Sequence, residues 1–177
     1  MIFVYIALAF LVVLVLLGLL LPSRYRVVRT ETIDAPAADV HALVGHLDKW
    51  PEWMPWEKED PSVITSLGDQ TTGVGAAQSW TSSKSGDGEV LFTECDENTG
   101  VAYDITFVAK DRRAPAKAAI RYAPAGNGTE VTWSMDGDLD DMMPRVLAGL
   151  MKPMMVSMVG RNCARGLASL KEMVEAA

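Results

Sequence analysis

The chain has few of the residues that most often carry catalysis, metal binding or cross-links. Its 177 residues include two cysteines and two histidines. Cys95 and Cys163 are too few and too far apart for a disulfide scaffold, and both read as small buried hydrophobes. His41 and His46 stand five apart on a predicted helix, so they do not share a face as an i, i+4 ligand pair would. No cysteine or acidic residue completes a metal spacing beside them, so no metal and no cofactor is expected, and both read as surface or helix-edge residues. Nothing suggests a Ser-His-Asp or Cys-His arrangement.

Other absences exclude further classes. The run Asp136-Gly-Asp-Leu-Asp-Asp begins like a calcium loop, but it has Asp141 where the loop needs glycine and Leu147 where it needs glutamate. These acids read instead as capping the helix that Pro144 leads. Gly73-Val-Gly75 lacks the lysine and hydroxyl residue of a phosphate loop and reads as a turn. Basic residues are scarce beyond Arg24, Arg26 and Arg29: residues 30–177 hold 13 Lys and Arg against 23 Asp and Glu. So acidic a domain is repelled by nucleic acid, which is excluded as a partner.

Charge is missing altogether from Met1 to Ser23, and Ile2 to Leu21 is an unbroken apolar run. Twenty residues of helix are about 30 Å long, the thickness of a bilayer's hydrocarbon core. A signal peptide needs a basic start and a small-residue cleavage site, and the run has neither. The expectation is a single membrane-spanning anchor over 1–23, with a domain over 24–177. The three arginines just after the span place that domain on the cytoplasmic side of the inner or plasma membrane. Asn127-Gly-Thr129 matches a glycosylation sequon, but it falls in a hairpin turn on that same side.

Seven strand-like runs follow, at 25–34, 62–67, 75–82, 88–95, 100–109, 115–123 and 129–136. Between the first two, Val40, Leu43, Leu47 and Trp50 form one helical stripe. Val90 and Phe92, then Val101, Tyr103, Ile105 and Phe107, then Ala118, Ile120 and Tyr122, then Val131, Trp133 and Met135 share one phase. The opposite phase is mostly polar, although Leu91 and Cys95 fall on it. This pattern predicts an antiparallel sheet with one buried and one wet face. Val156, Val159, Cys163, Leu167, Leu170 and Val174 recur at helical spacing and supply the cover. Pro153 predicts a shorter helix over 141–151, a kink, and a long helix over 154–175.

Three features invite a functional reading. Extending the Val90, Phe92 phase brings Glu94 inward, where a carboxylate of shifted pKa could act as acid or base, although a strand end that turns outward would expose it. Six methionines, Met142, Met143, Met151, Met154, Met155 and Met158, gather at the start of the cover helix, where core filling and the lining of an adaptable pocket are both open. Trp50-Pro-Glu-Trp-Met-Pro-Trp56 cannot be a long helix. It lies too far from the span to be an interfacial belt, and its indoles offer no nucleophile. Trp50 is expected in the core, with Trp53 and Trp56 at the mouth of a pocket.

The segments LPSRYRVVRTETIDAPAADVHALV (21–44), LDKWPEWMPWEKEDP (47–61), GVGAAQSW (73–80) and GTEVTWSMDGD (128–138), followed by the long helix, resemble the START-like (SRPBCC) superfamily. The resemblance is to its bacterial polyketide cyclase/dehydrase-like members with an N-terminal membrane helix. It implies an α+β helix-grip fold, in which a curved antiparallel seven-stranded sheet wraps around a long C-terminal helix and encloses a cavity for an apolar ligand. On that fold the expected pocket comprises Trp53, Trp56, Trp80, Phe92, Tyr103, Ile105, Phe107, Ile120, Tyr122, Trp133, Met135, Met151, Met154, Met155 and Met158. The expected function is binding of a lipid or other hydrophobic small molecule. The alternatives are a cyclase or dehydratase using Glu94 or Tyr103, and a non-catalytic interaction or stress-response module.

Overall fold

A computed structural model of the chain describes residues 1–55, 60–84, 86–109 and 112–176. Helix α1 (Ile2–Leu20) leads into strand β1 (Arg24–Ile33). Short helices α2 (Ala37–Val44) and α3 (Trp50–Trp53) follow, joined by a 3-10 turn at Leu47–Lys49. Strands β2 (Ile64–Leu67), β3 (Ala77–Thr81), β4 (Asp87–Asp96), β5 (Gly100–Ala109), β6 (Arg112–Ala125) and β7 (Gly128–Asp138) come next, then helix α4 (Arg145–Glu175). Strands β2 to β7 run as successive hairpins, and β1 returns beside β7, so the sheet order is β1-β7-β6-β5-β4-β3-β2, antiparallel throughout. The β6–β7 turn is tight because Gly126, at φ 61°, takes the left-handed conformation that a two-residue hairpin loop requires.

Alternation sets the faces as the sequence predicts. Val90, Phe92, Val101, Tyr103, Ile105, Ala118, Ile120, Val131, Trp133 and Met135 are buried, whereas Leu91 is exposed. The phase breaks once, in β4. Phe92 pairs with Tyr103 but Glu94 pairs with Ala102, so Thr93 is an extra residue in the ladder. Such a bulge reverses the facing of everything beyond it. Glu94 therefore points to solvent, which corrects the inward expectation for it, and Cys95 points inward as a partly buried hydrophobe although alternation had put it on the wet phase.

Helix α4 is also a correction, because it is continuous from Arg145 through Pro153 to Glu175. The proline removes one backbone donor. Packing on both sides keeps the halves in line: Ala148 and Gly149 are buried near α1, and Cys163, Leu167, Leu170 and Val174 are buried on the sheet. Full burial of a leucine such as Leu167 or Leu170 stabilises by about 1.5–3 kcal/mol, which outweighs the loss of one hydrogen bond. At the far end, Lys171 Nζ donates to Glu31 and to the Thr32 carbonyl, and Glu175 accepts from the Asp34 backbone N–H. These bonds fix α4 along β1.

The acids before α4 do not cap it. Its N-cap, Pro144, makes no side-chain bond, while Asp138 accepts from Asp140 N–H in the 3-10 turn Leu139–Asp141. Asp140 is held by Ser23 and Arg145. The acidic run thus locks the exit of β7 to the start of β1.

Helix α1 is long and apolar enough to cross a membrane, a test that a signal sequence near an N-terminus also meets. Its last turn packs on α4, where Gly18 is buried. Most of its length is exposed.

Candidate functional site

Between the concave sheet face and α4 lies a cavity of about 480 Å³. Trp80, Val90, Tyr103, Ile105, Phe107, Trp133 and Met135 form its floor, and Met155, Met158, Val159, Asn162 and Cys163 from α4 form its roof. Tyr25 and Met142 close one side, and Val63, Gln78 and Lys84 stand on the other walls. Lys84 is the one charged residue among the described lining residues, and no carboxylate is among them.

The tryptophan segment builds the end wall. Trp50 Nε1 donates to the Val44 carbonyl at 3.0 Å, which fixes its indole beneath α2. Its ring lies 5.3 Å from Tyr103, 5.6 Å from Phe92 and 6.0 Å from Trp53, and Trp53 lies 5.7 Å from Trp133. Edge-on and tilted rings at these spacings form a packed aromatic cluster. Trp50 faces the cavity, and Trp53 is fully buried behind it. Trp50 is in the core as expected and also lines the cavity, whereas Trp53, expected at the mouth, is carried inward on the single helical turn of α3. Trp56 lies outside the described residues.

Other expected pocket residues divide similarly. Trp80, Tyr103, Ile105, Phe107, Trp133, Met135, Met155 and Met158 do meet in the cavity wall. Phe92 and Ile120 are buried in the core, off the cavity. Tyr122 faces α2 instead, with His41 beside it. Met151 and Met154 lie on the part of α4 that turns away from the sheet, and Met154 is 55% exposed. Tyr25, Trp50, Val90, Gln78 and Cys163 were missed as lining residues. Val90 and Cys163 carried an inward signal in their periodicity, but periodicity does not separate core from cavity wall.

The two catalytic candidates part company. Glu94 is 61% exposed on the convex face and paired with Arg121, so it does not reach the cavity. Tyr103 is in the wall, where its hydroxyl accepts from Trp133 Nε1 at 3.0 Å. Burial drives its pKa far up, with Cys163 adding to the rise, so it stays a neutral phenol with its own hydrogen to donate. Burial likewise pushes the Cys163 thiol up to about 11. Apart from Lys84, the described lining residues therefore offer neutral donors and acceptors set in apolar walls, with no carboxylate or histidine among them to act as a base.

A second cluster sits outside the cavity, under α2. Cys95 Sγ lies 3.7 Å from His41 Nε2, and the Tyr122 hydroxyl lies 3.4 Å from His41 Nδ1. His41, expected as a surface or helix-edge residue, is half-buried at the edge of α2. Burial lowers its pKa and His46 adds to the effect, while Glu97 and Asp96 oppose it. Among the described residues, no group of three or more His, Cys, Asp and Glu side chains could hold a metal ion.

Comparison with known proteins gives a consistent picture. A family model described as polyketide cyclase / dehydrase and lipid transport matches residues 24–175. Among solved structures, Ara h 8.0201 aligns at 14% identity with a TM-score of 0.62, covering 87% of this chain and 99% of that one. Protein MLL2253 from Mesorhizobium loti aligns at 12% identity and TM-score 0.64, covering 86% and 98%. A Thermobifida fusca protein aligns at 22% identity and TM-score 0.61, covering 84% and 92%. These likenesses establish the fold. No curated protein matched the chain in sequence.

Proposed function

Because the chain belongs to the polyketide cyclase / dehydrase and lipid transport family, we propose that its cavity binds a lipid or other hydrophobic small molecule. We further propose that α1 tethers the domain to the cytoplasmic face of a membrane. The observation that carries the binding reading is the cavity itself: about 480 Å³, aromatic and methionine-rich, with no carboxylate among the described lining residues. That volume falls within the range of about 300–1,000 Å³ typical of small-molecule sites, whose walls are mostly apolar with a few placed polar groups. The Tyr103 hydroxyl, Gln78 and Asn162 are those groups, and they suit a ligand bearing one or two oxygens on an otherwise apolar body. The tether rests on the length of α1, on its exposed apolar surface, and on the arginines that follow it.

Cyclase or dehydratase chemistry has less support, since Glu94 lies outside the cavity and Tyr103 holds its proton. The binding reading is tested by native mass spectrometry of the full chain in mild detergent, with uptake of a dansyl-labelled fatty acid after delipidation. Co-purifying organic mass and saturable uptake are expected, and Val90→Trp, which fills the floor, should abolish both. A delipidated chain that takes up no probe and carries no ligand would refute it.

A further inference from the structure

The first half of α4 presents an apolar stripe that the described residues leave largely uncovered. Leu147, Met154 and Met158 are 47%, 55% and 42% exposed. With Met151 they fall within an arc of about 60° at 100° per residue, along roughly 16 Å of helix. The same stretch meets α1, where Gly149 lies against Gly18 and Leu21. It also borders the cavity, because Met158 is both exposed and part of the roof. The stripe thus joins the one bilayer-length helix to the edge of the ligand site.

Charge marks the same element. Residues 30–141 hold eight basic residues against 21 acidic ones, whereas residues 142–171 hold five basic residues and no acid. Arg161 continues the stripe one turn beyond Met158 and donates along the helix to Ser157 Oγ. A helix with exposed methionines and leucine, flanked by cations within an acidic domain, has the make-up of a segment that lies in the interface of an anionic bilayer. A second copy seated stripe to stripe would set these cations against the same cations, which disfavours that pairing.

We infer that residues 147–158 of α4 are a second membrane contact, seated in the headgroup region of an anionic leaflet, so that the cavity exchanges its ligand directly with lipid. The inference rests on the hydrophobic-ligand reading of the cavity. The test uses the full chain in nanodiscs, one chain per disc, with an environment-sensitive fluorophore on Met154→Cys in a Cys95→Ser background. Uptake of a dansyl-labelled fatty acid is measured separately in detergent. The expected result is blue-shifted emission from residue 154 in discs containing phosphatidylglycerol, quenched at least twofold by brominated acyl chains. In phosphatidylcholine discs, or at high salt, the emission should shift back toward water. Normal uptake with residue 154 in water in every disc overturns the contact and leaves the cavity reading standing. A blue shift indifferent to brominated lipid and salt, and lost on dilution from many chains per disc to one, overturns it in favour of a second copy. Contact without uptake refutes the cavity reading instead, and with it the exchange of ligand.

Discussion

Gly18 of α1 and Gly149 of α4 lie against each other with no side chain between them. A Cβ on Gly149 would overlap the Gly18 carbonyl oxygen, and a Cβ on Gly18 would overlap the backbone of Val146. Beside this crossing, Arg145 donates to the Leu21 carbonyl and to Asp140. Helix α1 is thereby joined to the domain by close backbone packing as well as by the short segment 21–23, and the start of α4 is held beside the last turn of α1.

Gly149→Leu is expected to destabilise the full chain, because neither backbone can move without losing the Arg145 bonds. Overpacking of this kind costs about 1–3 kcal/mol. Thermal unfolding in detergent should show a lowered midpoint, with Gly149→Ala falling between the two. If Gly149→Leu melts with the parent, the helices do not cross at this point.

Tyr103→Phe removes the oxygen that accepts from Trp133 Nε1 in the buried wall. A buried donor that loses its acceptor costs about 1–3 kcal/mol. Denaturant unfolding should report a loss in that range. If the Tyr103 hydroxyl also grips the ligand, fatty-acid uptake should weaken beyond what the stability loss explains. Equal stability of parent and variant would show that the bond contributes nothing.

Most of the fold was readable because it rests on period. Inward and outward positions on four strands, β4 to β7, follow a spacing of two, and the α4 face follows 3.6. What escaped was local. One inserted residue, Thr93, reversed Glu94 and Cys95, and no pattern in the sequence announces a bulge. Pro153 suggested a break, which tertiary packing on both halves overrode. In the tryptophan segment Trp50 and Trp53 share the single helical turn of α3, and spacing by three could not resolve which indole faces the cavity. The cavity wall was legible only in part, because a residue beside a void and a residue in the core have the same periodicity.

His41 predicts a pH dependence. Its pKa is lowered in the fold, so the unfolded chain takes up the proton at higher pH than the native one does. Stability is then complete above the ordinary histidine value of 6.5 and falls as pH drops through the depressed value. Cys95 and Tyr122 touch the ring, while Asp96, Glu97 and His46 act on it by charge. The melting midpoint should decline below pH 6.5, and His41→Asn should flatten that decline. Parallel profiles for parent and variant would rule His41 out as its source.

The two thiols should separate in reactivity, and the separation reports on the cavity. Cys163 is buried in the roof, and its pKa, pushed from 9.0 to about 11, leaves about a hundredfold less thiolate at neutral pH than an unshifted thiol. Cys95 is half-buried, and the His41 Nε2 beside it can accept the thiol proton. Iodoacetamide at pH 7.5, followed by peptide mass spectrometry, should label Cys95 at least tenfold faster than Cys163. His41→Phe should slow Cys95 and leave Cys163 unchanged. Loading the cavity with a fatty acid should slow Cys163 further without affecting Cys95, since only Cys163 lines the cavity. If the fatty acid protects both thiols equally, it binds elsewhere or rigidifies the whole domain; if Cys163 labels as fast as Cys95, the roof of α4 opens readily in solution.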